Sequence, residues 1–235
     1  MADGIKRTYG TVNLDTIKRW FKMDPSEDSY VWMINLMKYK ARALYEDGTD
    51  GGRSGMEADD EYAPVEVLGE LGAAVAFMGA VERQVEGTPD WDRVAIVRYP
   101  NRMSFMTMEQ RADFQEKHVH KEAGMDFTIV FGALPDGAAL EAPADARYLL
   151  RVRRLEEGAS APADPPGLRR VAHLTVDGIA VGDERTFDHA LFDVVEDEAA
   201  LEALANQPGV AEQITLVLNR QIDRLANTIN EVTAG

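Results

Sequence analysis

The spacing of polar and apolar positions changes several times along the chain, and each change marks an element. Residues 30–39, YVWMINLMKY, are aromatic, β-branched and largely apolar, which predicts a buried strand. Before it, NLDTIKRWFKM (13–23) places Leu14, Ile17, Trp20 and Phe21 on one side of a helix, with Asn13 as its cap and Asp24-Pro25 as its end. Such a helix covers an apolar surface, on its own subunit or on a partner. EDGTDGGRSG (46–55) is too rich in glycine to be regular and reads as a loop. A helix is then predicted to start near Asp59 or Asp60, whose charges suit a helix N-terminus. Pro64 fits only in its first turn, Val65, Leu68 and Leu71 form its stripe, and Gly72 closes it.

Residues 73–86 and 91–100 read as strands paired across the turn GTPD. A second helix is predicted from an N-cap at Ser104 to Ala123, with Gly124 as its left-handed C-terminal residue, and MDFTIVFGAL (125–134) as a fourth strand. Strand, helix, strand, strand, helix, strand is the order of a ferredoxin-like unit. After the Pro/Ala-rich linker PDGAALEAPAD (135–145) a weaker copy follows. It has a strand at 147–155, the loop EEGASAPADPPG (156–167) in place of a helix, a hairpin of 168–177 with 186–195, the short helix EDEAALEALANQ (196–207) and a last strand at 212–225. The fold class expected is α+β: two tandem ferredoxin-like units, the second missing its first helix. The domains expected are an N-terminal helical extension (1–28), a first unit (29–135) and a degenerate second unit (146–225). A homodimer is expected, because one such sheet leaves an apolar face that needs cover.

Composition narrows the chemistry. The 235 residues contain no cysteine, which excludes disulfides, thiolate catalysis, Fe–S clusters and Cys-ligated zinc. A net charge of −16 opposes binding to phosphate backbones, so no nucleic acid partner is expected. MADGIKRTYG has no apolar segment of signal-peptide type and no run nears the roughly 18 apolar residues that span a bilayer, so a cytoplasmic protein with no membrane partner is expected. No G-x-G-x-x-G after a strand, Walker A loop or G-x-S-x-G elbow occurs, which removes the usual signals of dinucleotide, NTP and serine-hydrolase chemistry.

Three stretches carry a family likeness: SGMEADDEYAPVEVLGELGAAVAFMGAV, WDRVAIVRYPNRMSFMTM and FQEKHVHKEAGM. Together with the strand MINLMKY they resemble the uncharacterised DUF1330-type proteins of the dimeric α+β-barrel superfamily. The likeness covers about 29–135, and WDxVxxVxYPxR is its most specific part. It implies two sheets facing each other to close a barrel, usually across a dimer. The superfamily includes cofactor-free monooxygenases, muconolactone-type isomerases, polyketide cyclases and haem enzymes, as well as many proteins of unknown role, so the fold does not choose a reaction.

Candidate chemistry starts at Asn35. Alternation puts Trp32, Ile34 and Leu36 on one face of the strand and Met33, Asn35, Met37 and Tyr39 on the other. The mixed face suits a cavity in the barrel interior, with adaptable walls, an amide and a phenol. Asn35 there either orients a carbonyl or enolate or is a buried amide bonded to backbone. Arg98 follows Val94 and Ile96 on its strand; it either binds a carboxylate or phenolate or pairs with Glu82 or Glu86. Tyr99 is placed beside it, and Arg102 is expected at the surface near a helix start. His118 and His120 point apart if helical, so they do not chelate one metal; His118–Glu122 and His120–Glu116 are the pairs a helix allows. In the second hairpin a turn centred near Val181 sets His173 opposite His189, Arg169 opposite Asp193 and Thr175 opposite Phe187. The two histidines then form a proton relay, a metal or haem-linked site, or a hydrogen-bonded structural pair. Arg147, Arg151, Arg153, Arg154, Arg169 and Arg170 concentrate positive charge in an acidic chain; they hold an anion or meet acidic surface.

The function these features favour is a small-molecule enzyme working without an organic cofactor on an aromatic or polyketide-like substrate, as isomerase, cyclase or monooxygenase. Asn35, Arg98, His118, His173 and His189 are its candidate catalytic residues; Met33, Met37, Tyr39, Tyr99 and Arg102 are candidate substrate contacts, and no metal is assigned. The alternative is a non-catalytic ligand-binding or assembly protein.

Overall fold

A computed structural model describes residues 6–62, 65–108, 110–205 and 207–233. Two short strands, β1 (Lys6–Arg7) and β2 (Gly10–Val12), precede helix α1 (Leu14–Phe21). The first half continues as β3 (Val31–Tyr39), α2 (Gly55–Tyr62), α3 (Val65–Glu70), β4 (Ala74–Glu86), β5 (Arg93–Tyr99), α4 (Arg102–Met108), α5 (Ala112–Gly124) and β6 (Met125–Pro135). The second half is β7 (Tyr148–Leu155), β8 (Leu168–Gly182), β9 (His189–Val195), α6 (Ala199–Glu202), β10 (Val210–Asp223) and α7 (Leu225–Thr233). Pro64 and the side chain of Val65 lie outside the described residues.

The strands join in the order β1-β2-β8-β6-β3-β5-β4-β10-β7-β9, and β9 pairs again with β8. The result is a closed antiparallel barrel of eight strands with β1 and β2 appended at one end of β8. Within each half the order is the same: β6-β3-β5-β4 and β10-β7-β9-β8. Joining the halves takes the pairings β4–β10 and β6–β8, both within this chain. The apolar sheet face that motivated the homodimer is therefore already covered.

Trp32, Ile34, Leu36, Phe77 and Phe131 from the first half, with Tyr148, Leu150, Phe192, Ile214 and Leu216 from the second, form one continuous buried cluster. This cluster fills the barrel. Helix α7, unplaced by the sequence pattern, closes one end through Leu225 and Ile229, and its Thr228 accepts the indole N–H of Trp32 at 3.1 Å. The expected cavity is thus not inside the barrel.

Local chemistry moves several boundaries. Asn13 caps α1 as expected, accepting from the backbone of Asp15 and Thr16, and Trp20 is buried; Phe21 instead stays 51% exposed. Helix α2 begins four residues earlier than predicted. Its start is a capping box: the Ser54 backbone N–H donates to Glu57 Oε2 (2.7 Å) and the Glu57 N–H returns to Ser54 Oγ. Asp59 and Asp60 therefore sit mid-helix, not at its N-terminus. Ser104 does not cap α4; Asn101 does, accepting from the Ser104 N–H at 2.7 Å. The predicted long second helix is two, α4 and α5. Gly72 follows the end of α3 as expected, in the left-handed conformation (φ +67°). Gly124 does not; it lies where α2 crosses α5, and a Cβ there would meet the Gly55 carbonyl oxygen at 2.2 Å.

Arg102 is buried, not at the surface. Its guanidinium donates to Asp28 (2.9 Å) and Asp177 (2.7 Å), and Asp177 also accepts from Trp20 (2.7 Å) and Arg19 (3.0 Å). One carboxylate on β8 thus ties α1 and α4 to the barrel.

The α2–α5 crossing gives a direct test. Gly124→Ala forces a methyl against backbone that cannot rotate away, and it is expected to cost about 3 kcal/mol by urea unfolding.

Candidate functional site

The residue alternation of β3 is as expected, but its faces are reversed in meaning. Trp32, Ile34 and Leu36 fill the barrel, and Met33, Asn35 and Met37 look outward beneath the helices of the first half. Between that sheet face and helices α2, α3, α4 and α5 lies a cavity of about 140 Å³. Its floor follows the strand register, with Met33 opposite Val97, Asn35 opposite Ala95 and Met37 opposite Arg93. Its roof includes Tyr62 of α2, Leu68 of α3, Phe105 and Met108 of α4, and Lys121 of α5. The volume approaches that of engineered apolar cavities of roughly 150 Å³ that accept benzene.

One end of the cavity is polar. Asp59 of α2 is 9% exposed, and its Oδ2 accepts from the Tyr39 hydroxyl at 2.6 Å. Arg93 donates to Asp60 at 2.6 Å, approaches Asp59 at 3.8 Å, and lies over the Tyr39 ring. Burial pushes the Asp59 carboxyl above its ordinary range, against the opposing influence of Lys121, Tyr39 and Arg93. Tyr39 is held protonated, first by burial and then by the charge of Asp59. Burial works against the Arg93 charge, but the bond to Asp60 and the neighbouring acids outweigh it, so the guanidinium stays charged. Arg93 Nε is buried without a partner among the described residues. Asn35 donates to its own strand, at the Met33 carbonyl (3.3 Å), and its Oδ1 carries no bond among the described residues.

His118 stands behind the opposite wall. It is 5% exposed and packed by Tyr62 and Phe114. Arg7 can only donate, and it reaches His118 Nε2 at 2.7 Å; Tyr9 reaches the same atom at 2.9 Å. Nε2 is therefore the acceptor, and the proton resides on Nδ1, which is buried without a partner among the described residues. Burial, then the charges of Lys121 and Arg7, lower its pKa to about 3. Glu122 lies 3.8 Å from Nε2, too far for a hydrogen bond. His120 points away, as helix geometry requires, and shares a hydrogen bond of 2.9 Å with the Tyr45 hydroxyl instead of meeting Glu116.

Of the residues singled out in the sequence, Met33, Asn35, Met37 and Tyr99 line this cavity, and Tyr39 positions Asp59 from behind. Arg98 is on the opposite sheet face, bonded to Glu231 of α7 at 2.6 Å; neither Glu82 nor Glu86 is its partner. Arg102 is committed to Asp28 and Asp177. His173 and His189 lie in the other half, away from the cavity. Their predicted register is shifted by two residues: His173 faces Leu191 and His189 faces Thr175, while Arg170, not Arg169, faces Asp193 across a bulge. The rings still meet diagonally, His173 Nε2 to His189 Nδ1 at 3.0 Å. Asp59 and Arg93 were missed. The signal for Asp59 was the box Ser54-x-x-Glu57, which moves the helix start and turns Asp59 inward; Arg93 shares alternation with Ala95, Val97 and Tyr99. Among the described residues no cluster of three or more His, Cys, Asp or Glu side chains fits a metal ion. No helix among them is long and apolar enough to cross a membrane.

No family model matches the chain, and no curated protein matches it. Solved structures do show likeness. A protein of unknown function from Rhodopseudomonas palustris is 26% identical with a TM-score of 0.44, covering 51% of this chain and 91% of its own. An anthrone oxidase-like protein is 13% identical with a TM-score of 0.49, covering 86% and 97%. A variant chlorite dismutase from Candidatus Nitrospira defluvii is 9% identical with a TM-score of 0.49, covering 93% and 99%.

The His118 environment predicts an acid-sensitive fold. Between a folded pKa of about 3 and the ordinary 6.5 the unfolded chain binds one proton more, so this contribution is complete above pH 6.5 and is lost as pH falls toward 3. His118→Gln keeps an acceptor for Arg7 and Tyr9 but does not titrate. Urea unfolding from pH 7 down to pH 4.5 is expected to show a shallower loss in the variant, by about 1.4 kcal/mol per pH unit below 6.5.

Proposed function

We propose that the protein is a small-molecule enzyme of the dimeric α+β-barrel superfamily, built from two tandem ferredoxin-like units, that moves a proton on a small aromatic compound bearing a hydroxyl or carbonyl group. The carrying observation is a buried carboxyl, Asp59, held by a phenol and flanked by two cations at one end of an otherwise apolar cavity. The volume suits a ring system of about benzene size or slightly larger. Apolar walls of Met33, Met37, Leu68 and Phe105 take the ring, and the polar end takes its oxygen.

Asp59 is the acid/base. Its Oδ2 is occupied by Tyr39, which leaves Oδ1 to face a substrate proton. Burial raises the basicity of the carboxylate, as a general base near neutrality needs. The anion left by proton removal, an enolate or phenolate, is stabilised by the unpaired Nε of Arg93 and the charge of Lys121. Both charges are in place before the substrate binds, so little reorganisation opposes the step. This chemistry needs no group beyond the chain's own residues. A cytoplasmic location fits the composition.

The test uses two probes. 2-Naphthol reports binding by thermal shift. 2-Tetralone reports proton abstraction, since its protons next to the carbonyl exchange with D₂O. The wild-type protein is expected to accelerate that exchange over buffer. Asp59→Asn should lose about 100-fold or more of the acceleration while melting at the same temperature or higher, because it no longer buries an ionisable carboxyl. Binding of naphthol without any exchange would support the ligand-carrier reading instead.

A further inference from the structure

The outer face of the second half is built differently. Where the first half carries helices between its first two strands, β7 is followed by segment 156–167, which has no helix and whose Asp164 reaches back over β7 and β8. Beneath lies a row of charge. Arg151, fully buried, donates to Asp193 (2.7 Å) and Asp164 (2.7 Å). Arg170 donates to the other oxygen of each, at 2.6 Å in both cases. Asp193 is itself fully buried. These two arginines and two aspartates balance each other in charge, with Arg151 Nη1 alone buried without a partner among the atoms of the four side chains.

Arg153 is left out of that balance. It is 4% exposed, and among the described residues its side chain has no hydrogen bond and no carboxylate within ion-pair distance. Its Nε and Nη1 are buried and unpaired. Its cross-strand neighbour is His189. His189 Nδ1 meets His173 Nε2 at 3.0 Å, and His173 Nδ1 lies 3.2 Å from Asp136, so the far nitrogen of His189, Nε2, has no partner among the described residues. An arginine does not escape burial by losing its proton. Folding a lone buried guanidinium into a protein is costly unless an anion accompanies it.

We propose that Arg153 and His189 form a binding subsite for a small oxyanion, the phosphate or carboxylate group of a small molecule, on the outer face of the second half, apart from the cavity that holds Asp59. Arg153 Nη2, the guanidinium nitrogen that is not fully buried, donates to one oxygen, and His189, protonated as the anion binds, donates to another through Nε2–H while its Nδ1–H donates to His173 Nε2. The overall charge of −16 repels anions at long range, so recognition is local and falls with added salt. Asp136, Asp164 and Asp193 border the subsite and select against bulky polyanions.

The experiment titrates inorganic phosphate, and separately malonate, into the full chain at constant ionic strength set with NaCl, reading the melting temperature. At least one anion is expected to give a saturable rise beyond the NaCl control, and the stronger of the two identifies the class. Arg153→Met should weaken that response about tenfold or more, while Asp59→Asn leaves it unchanged. Without anion, Arg153→Met should melt no lower than wild type, the reverse of what a packing residue gives. Equal responses in wild type and Arg153→Met, or none above NaCl, overturn the proposal. Should Arg153→Met fail to fold, the wild-type histidine NMR signals decide. Phosphate or malonate must raise the pKa of the signal that His189→Gln removes, and a pKa unmoved by either anion overturns the subsite.

Discussion

Closure of the strand ring sets the rest of the structure. β4 meets β10 and β6 meets β8, so no strand of the barrel ends on an open edge, and one face of every strand is turned into a common interior. That interior is packed with Trp32, Phe77, Phe131, Tyr148 and Phe192 and has no place for polar chemistry. Arg98 meets Glu231 of α7 at the end of β5, whereas Arg93, Arg151, Arg153, Arg170 and Asp193 lie on the outward strand faces, where their fate depends on what covers them.

The two halves cover them differently. In the first half α2 and α5 cross closely at Gly55 and Gly124 and the helices form a roof, leaving a space over Asn35 and Arg93. Asp59 hangs from that roof into the space, and Tyr39 holds it. In the second half α6 covers Leu149 and Val217, while a helix-free segment lies over the neighbouring strands, where outward positions include Arg151, Arg153, Arg170, His173, His189 and Asp193. The same strand order thus carries an apolar cavity with a charged end on one side and a buried ionic network on the other. The N-terminal extension bridges them: Asp177 of β8 in the second half binds Arg19 and Trp20 of α1 and Arg102 of α4.

Strand positions were readable because alternation and β-branched content are local properties, and β3 and β6 run within a residue of where the pattern put them. The hairpin of β8 and β9 was readable as a pairing but not in its register. A turn centre displaced by one residue shifts every partner by two, and the bulge near Val171 adds a further offset. His173 and His189 still touch because a two-residue slip preserves the face. Arg98 was assigned correctly to a face with Val94 and Ile96, yet its partner, Glu231, comes from a helix at the far end of the chain.

The sequence by itself determined the strands and their alternation, the cap of α1, the close of α3 before Gly72 and the acidic, cysteine-free chemistry. Each follows from residues within a few positions of one another. Only the tertiary structure decided which strand face is interior, since that depends on what packs against it from distant segments. Trp32, Ile34 and Leu36 against Met33, Asn35 and Met37 showed two faces, and ring closure assigned the wholly apolar one to the barrel. The same holds for Asp59 and Arg153: their charges are plain in the chain, but each is set apart by burial and by its neighbours, a phenol and two cations around Asp59 and no carboxylate within ion-pair distance of Arg153, and neighbours are counted in space.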